Sequence, residues 1–222
     1  MARQLSFDLP TREAWLRSDF FTSPANALAL AAIEGWQDWP GGKMILVGPA
    51  GSGKTHLAHI WADLTGAAVF DAADIARANL AALPPVSAIA IENAERLGGN
   101  SAGQEALFHL HNLVLPAGRL LMTAASPPRD WGLTLPDLTS RMQAAMLTRL
   151  DPPDDALLSA VLIKLFADRQ IAVPPTLIPY LLHRMNRSIA SARDLVARLD
   201  AHALALGRPI SRALAAELLD IS

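Results

Sequence analysis

Nine consecutive residues, Gly48-Pro49-Ala50-Gly51-Ser52-Gly53-Lys54-Thr55-His56, follow the apolar run Met44-Ile45-Leu46-Val47. They fit G-x-x-x-x-G-K-[ST], a loop that has to sit between a strand and a helix. A polyphosphate needs several N–H donors converging on it, so the backbone must curl into a nest. Glycine at 48, 51 and 53 omits the Cβ that would block the turn or the approach of a phosphate oxygen. Lys54 brings a positive charge to the β and γ phosphates, and Thr55 offers a hydroxyl to Mg2+. The run before the loop has the length and composition of a buried strand. His56 to Leu64 reads as a helix with Leu57, Ile60, Trp61 and Leu64 on one face, its N-terminus aimed at the anion. The pattern predicts a phosphate cradle running from Gly48 to His56.

Further strands are expected at 67–70, 86–91, 120–123 and 145–149, with helices at 55–64, 72–80, 101–115 and 136–143 between them. Another helix, 24–36, precedes them with Leu28, Ala31 and Ala32 on its stripe. Strands alternating with helices predict a parallel sheet covered on both faces, with ligands at the carboxyl ends of the strands. Asp151-Pro152-Pro153 marks a change. Beyond it the leucines recur at helical spacing and no strand is expected. Helices are predicted at 153–169, 175–185, 188–205 and 211–219, the third capped by Ser188 and ending near Gly207. The expected organisation is a tail at 1–11, an α/β base at 12–150 and a small all-α bundle at 151–222.

The 222 residues contain no cysteine, which excludes disulfides and thiolate chemistry and suits a cytoplasmic protein. No apolar run has the length of a membrane span, and the N-terminus lacks an apolar signal region. Residues 1–150 carry 11 basic and 13 acidic side chains, and 151–222 carry 8 of each, so neither part is a basic module gripping DNA by charge alone. His109 and His111 would point to different faces of their helix, and both read as ordinary helix residues.

A P-loop base followed by a helical lid is similar to AAA+ proteins. Within them the chain resembles the DnaA/Hda family, the bacterial replication initiator and its regulatory inactivator. The carrying stretches are GPAGSGKTH at 48–56, AIAIEN at 88–93, LLMTAASPP at 120–128, LPDLTSRM at 135–142 and SARDL at 191–195. The resemblance spans about residues 12–220 and implies an AAA+ fold with a five-stranded parallel sheet and a lid. It implies ADP or ATP with Mg2+ as ligand, the metal held by Thr55 and Glu92. Asn93 stands where the initiator has an acid. An amide cannot serve as a base, so slow or negligible intrinsic hydrolysis is expected, as in the inactivator branch. Thr123 falls at the first sensor region, but the acid two positions on reads Ala125. Arg141 matches the arginine finger, which serves a neighbour's nucleotide, with a plain i−4 pairing to Asp137 as the alternative. Arg193 matches the second sensor arginine. Adenine contacts are expected around Phe20 to Pro24.

Gln4-Leu5-Ser6-Phe7-Asp8-Leu9 resembles the short peptide by which bacterial proteins dock on the DNA polymerase sliding clamp. Gln4 would hydrogen-bond near a pocket while Leu5, Phe7 and Leu9 bury in apolar grooves. Two DNA-reading devices of the initiator are expected to be absent. One is the helix-turn-helix domain after the lid. The other is the extra helix between the second and third strands, where 71–85 have room for one helix only. The resemblance thus implies a negative regulator of replication initiation that docks on the clamp and stimulates hydrolysis of ATP bound to DnaA. It would act without strong direct DNA binding or membrane association, and it allows homo-oligomers through AAA+ contacts. Two alternatives remain: a self-contained ATPase of the helicase-loader or clamp-loader type, and a truncated DNA-binding initiator.

Overall fold

The computed structural model describes residues 15–78, 88–115 and 117–220. Five strands, β1 (Lys43–Val47), β2 (Ala68–Asp71), β3 (Ala88–Glu92), β4 (Arg119–Ala124) and β5 (Met146–Arg149), form one parallel sheet in the order β2-β3-β4-β1-β5. Every residue of β1 is buried, as an interior strand with both faces covered requires. Side chains alternate between faces. Met44, Leu46, Ala90 and Leu121 turn toward Ala29, Leu30 and Ile33 of α1 (Ala27–Glu34) and Leu57, Ala58, Ile60 and Trp61 of α2 (Lys54–Thr65). On the opposite face, Ile45, Val47, Ile89, Ile91, Leu120 and Met122 meet Leu107, Leu110 and Val114 of α3 (Ser101–Val114) and Leu138 and Met142 of α4 (Pro136–Gln143). The base is therefore a three-layer α/β/α sandwich.

A third core belongs to the C-terminal helices α5 (Asp155–Asp168), α6 (Leu177–Leu182), α7 (Ile189–Leu206) and α8 (Arg212–Asp220). The Asp154 carboxylate accepts from the Leu157 N–H at 2.7 Å and the Ser188 hydroxyl from the Ser191 N–H at 3.0 Å, so α5 and α7 start on side-chain caps. Gly207, at φ 60°, closes α7. Phe166 is 1% exposed among Leu162, Leu181, Leu195 and Leu199. Phe166→Ala is expected to lower the unfolding free energy of this bundle by about 3–5 kcal/mol, the usual cost of an aromatic-sized cavity. Urea denaturation followed by far-UV circular dichroism checks this, and an unchanged midpoint would contradict the packing described.

The structure departs from the sequence pattern in three places. Helix α1 is shorter than 24–36, and Leu28, expected on its buried stripe, is 82% exposed. Seven of its eight residues are apolar (ALALAAIE), so composition alone holds no stripe to read. Leu64 of α2 is likewise exposed. No α-helix forms over 72–78: the Asp71 carboxylate accepts from the Ala73 N–H at 2.8 Å, closing a turn that leads into a single 3-10 turn at Ile75–Arg77. Residues 79–87, which include the end of that expected helix and the start of the strand expected at 86–91, lie outside the described residues. So do the tail residues Gln4, Leu5, Phe7 and Leu9. Among the described residues no helix is long and apolar enough to cross a membrane.

Candidate functional site: a phosphate loop and a remote arginine

The loop leaves the carboxyl end of β1. The Gly48 N–H donates to the Ala124 carbonyl at 3.1 Å, and a Cβ on Gly48 would lie 2.5 Å from the Leu150 carbonyl oxygen. Gly51 and Gly53 have φ values of +71° and +106°, the left-handed turns that bend successive N–H groups into a concave surface. Lys54 Nζ folds back to donate to the Gly48 and Pro49 carbonyls at 2.7 and 2.9 Å. Burial lowers the Lys54 pKa, while Glu95 and Glu92 pull it back up. Thr55 is exposed on the first turn of α2. The loop is also tied to the helical bundle: the Ile189 N–H, at the start of α7, donates to the Gly51 carbonyl at 2.8 Å.

Two polar atoms here lack partners. Ser52 Oγ and Glu92 Oε1 are buried without a hydrogen bond. A buried carboxylate oxygen left unpaired is costly unless something binds it. Glu92 ends β3, within electrostatic reach of Lys54. Its carboxylate and the Thr55 hydroxyl make an oxygen donor set of the kind Mg2+ takes together with phosphate oxygens and water. Among the described residues no cluster of three or more His, Asp or Glu is placed to hold a metal by itself.

Asn93 follows Glu92 at φ 56°, a left-handed geometry that asparagine tolerates. Its side-chain amide donates to Asp71 Oδ2 at 2.6 Å, and Arg96 lies 3.5 Å from Asp71 Oδ1. Asp71 ends β2, the sheet edge away from β1, so the Asn93 side chain is turned from the loop. Thr123 is 1% exposed, and its hydroxyl accepts from the Asn93 N–H at 3.3 Å, joining the ends of β3 and β4. Glu95 escaped the sequence reading. Its Oε2 accepts from the Ala125 N–H at 3.1 Å, so a carboxylate stands in space where residue 125 has none in sequence. The signal was an acid three residues past Glu92, on a turn whose path only the fold reveals.

A cleft of about 660 Å³ opens between the base and the bundle, lined by Phe20, Phe21, His56, Val161, Ile189 and Arg193 among others. His56 Nε2 lies 3.1 Å from the Leu16 carbonyl, and its ring is edge-on to both Trp15 and Phe20. Burial lowers the His56 pKa. The Arg193 guanidinium carbon sits 4.9 Å from the Trp15 ring centroid. Aromatic and aliphatic walls with a few polar groups suit a flat heterocycle next to the phosphate loop. The structure thus brings His56 and Arg193 to one cleft with Phe20 and Phe21, from the stretch expected to hold adenine, and sets Glu92 within electrostatic reach of Lys54 in the loop.

Arg141 is elsewhere. It lies on α4 and meets α3: Nη1 donates to His111 Nδ1 at 3.0 Å and to Asn112 Oδ1, and the guanidinium carbon is 4.7 Å from the Phe108 ring centroid. His111 Nε2 is 3.2 Å from Lys43 Nζ. Lys43 opens β1 and the loop follows its last residue, so the strand's full length, roughly 13 Å, separates the two. The i−4 pairing with Asp137 is replaced by these contacts with α3. His111 is not the ordinary helix residue expected from sequence. It is 8% exposed, and burial, with Lys43 and Arg141 nearby, pushes its pKa down to about 4. His109, on the same helix, is exposed.

The depressed His111 pKa has a sign. Between pH 6.5 and 4 the unfolded chain binds a proton that the folded chain refuses, so stability falls as pH drops through that window. Above pH 6.5 the contribution is complete. The loss at pH 4 is on the order of 3 kcal/mol. Denaturant titrations at pH 7 and pH 4.5 are expected to differ less for His111→Gln than for the wild type, the comparison cancelling carboxylates common to both. Equal pH dependence would remove the assignment.

No family model matches the chain. Solved structures do resemble it. Domain III of the replication initiation protein DnaA from Thermotoga maritima superposes with a TM-score of 0.81 at 18% identity, covering 96% of this chain and 98% of that one. AMPPCP-bound DnaA from Aquifex aeolicus gives 0.66 at 18% identity, over 82% of this chain and 63% of that one. A point variant of RuvB from Thermotoga maritima gives 0.66 at 20% identity, over 88% and 66%. The chain spans nearly the whole of the DnaA domain but about two thirds of the longer DnaA and RuvB chains. At these identities the likeness shows the fold: an AAA+ P-loop base with a C-terminal helical segment, related in architecture to DnaA and RuvB.

Proposed function

We propose that this chain is a nucleotide-binding negative regulator of replication initiation, of the DnaA/Hda kind. It holds ADP or ATP with Mg2+ at Gly48–His56, Glu92 and Arg193, docks on the sliding clamp through Gln4, Leu5, Phe7 and Leu9, and offers Arg141 to ATP bound by the initiator DnaA. The observation that carries the reading is the placement of Arg141. It stands at the amino end of the sheet, half-buried, a strand's length from its own phosphate loop. A guanidinium there serves a second molecule's phosphate and not its own. The likeness to DnaA, a replication initiation protein whose solved structure holds AMPPCP, supports the ligand and the setting. Such a protein works in the bacterial cytoplasm.

The chemistry assigned to this chain is limited. Lys54 and the loop N–H groups neutralise and orient phosphates. Glu92 and Thr55 hold the metal, which draws charge from the phosphate oxygens when bound. Asn93, engaged with Asp71, orients no water. Arg141 spreads the charge that develops on the partner's transferred phosphoryl group, leaving proton transfer to the partner's own residues. Measuring ATP hydrolysis by DnaA with this protein, clamp and DNA, each omitted in turn, tests the reading. Stimulation is expected only with all present, and alanines at Gln4 and Leu5 should remove both stimulation and clamp pull-down. Stimulation that survives without the clamp would refute the docking step.

Glu95 favours a second reading, a self-contained ATPase. Its carboxylate reaches the end of β4, next to β1 in the sheet, so a base is available despite Asn93. Multiple-turnover hydrolysis by the isolated protein, lost in Glu95→Gln, would select it.

A further inference from the structure

Arg141 does not hang free from α4. Three residues of α3 meet it: Phe108, His111 and Asn112, spaced i, i+3 and i+4 and so gathered on one face of the helix. The two Nη1 hydrogens of the guanidinium go to the His111 Nδ1 lone pair and to the Asn112 amide oxygen, while the Phe108 ring lies under the plane. A guanidinium has five N–H donors. Among the described residues only Nη1 is engaged, so the three on Nε and Nη2 remain for an outside acceptor. That edge has the geometry for two parallel bonds to phosphate oxygens.

The histidine can accept at Nδ1 only as the neutral tautomer with its hydrogen on Nε2. Nε2 faces Lys43 Nζ at 3.2 Å, and Lys43 is 8% exposed at the start of β1. Burial and the Arg141 charge lower the Lys43 pKa. The groups facing His111 are thus Lys43 from the sheet and Arg141 from α4, with Asn112 beside it on α3. No acid pairs with Arg141 among the described residues, so nothing competes with an incoming phosphate for its charge.

We propose that Phe108, His111 and Asn112 are positioning residues that seat Arg141, holding its Nη1 inward so that Nε and Nη2 are presented to a phosphate on another molecule. The proposal rests on the reading of Arg141 as acting in trans and adds what aims it. A seated guanidinium has already lost the rotamer freedom that a free arginine would lose on docking.

The test combines spectroscopy on this protein alone with the reconstituted DnaA assay. Side-chain 15N NMR at pH 7 is expected to show His111 neutral with the hydrogen on Nε2, and slow rotation of the Arg141 guanidinium that becomes fast in Asn112→Ala. A charged His111, or a freely rotating guanidinium in the wild type, overturns the seat. In the assay, Asn112→Ala, a change at an exposed position, is expected to lower stimulation about tenfold to a hundredfold, the penalty typical of a slightly misplaced catalytic group. His111→Ala should lose a similar factor and His111→Gln, which restores an acceptor, should recover most of it. Arg141→Ala/Asn112→Ala should be no worse than Arg141→Ala alone. Full stimulation by Asn112→Ala and His111→Ala, with Arg141→Ala inactive, overturns the seat and leaves the trans reading standing. An Arg141→Ala protein as active as wild type overturns the trans reading, and the proposal with it.

Discussion

Lys54→Ala is expected to weaken ADP and ATP binding by a factor of about thirty to several thousand, while the protein stays folded. The range follows from the roughly 2–5 kcal/mol cost of truncating one member of a desolvated, hydrogen-bonded charge pair. The Lys54 ammonium rests on the Gly48 and Pro49 carbonyls, at the mouth of the nest formed by Gly51 and Gly53. Removing it frees the carbonyl of buried Gly48 and that of exposed Pro49 and takes the only lysine from the loop. Fluorescent-nucleotide titration gives the affinity and thermal melting without nucleotide gives the fold. Wild-type affinity in Lys54→Ala would mean that the loop is not the binding site.

Arg141→Ala should do the reverse. Nucleotide affinity is expected to stay within about twofold of wild type, because the side chain lies a strand's length from the loop. Stimulation of hydrolysis on DnaA is expected to fall by about a thousandfold or more, the range found for arginines supplied in trans. Lysine at 141 should rescue poorly, since a point charge cannot make two parallel bonds to a phosphoryl group. The pair of variants separates the two ends of the molecule: one is expected to lose ligand and keep stimulation's arginine, the other to keep ligand and lose stimulation. If Arg141→Ala also lost nucleotide binding, the separation drawn from the sheet would be wrong.

What could be read from sequence was what short-range rules govern. The apolar run 44–47 had to be interior, and the glycine spacing around Lys54 had to form a nest, because both depend on neighbours along the chain. The bundle was legible for the same reason: Asp154 and Ser188 cap their helices locally, and Leu195, Val196 and Leu199 repeat at helical spacing. What stayed hidden depended on which strand ends meet. Asn93 looked like a member of the phosphate site until strand order showed Asp71 beside it. Glu95 was invisible until β4 brought the Ala125 N–H to its carboxylate. His111 looked like an ordinary helix residue because Lys43 and Arg141 are 68 and 30 residues away in the chain. In α1 the failure was different: with nearly every residue apolar, hydropathy has no contrast from which a buried face can be read.

One contact, the Ile189 N–H on the Gly51 carbonyl, has a thermodynamic consequence. It makes the first turn of α7 part of the loop's own wall, reinforced by the 2.7 Å that would separate a Gly51 Cβ from Ser188 Cβ. Any ligand that reshapes the loop therefore changes the free energy of bundle docking, and by reciprocity anything that grips the bundle changes the ligand's affinity by the same factor. A protein bound to α5–α8 would tighten or loosen the hold on a nucleotide without touching it.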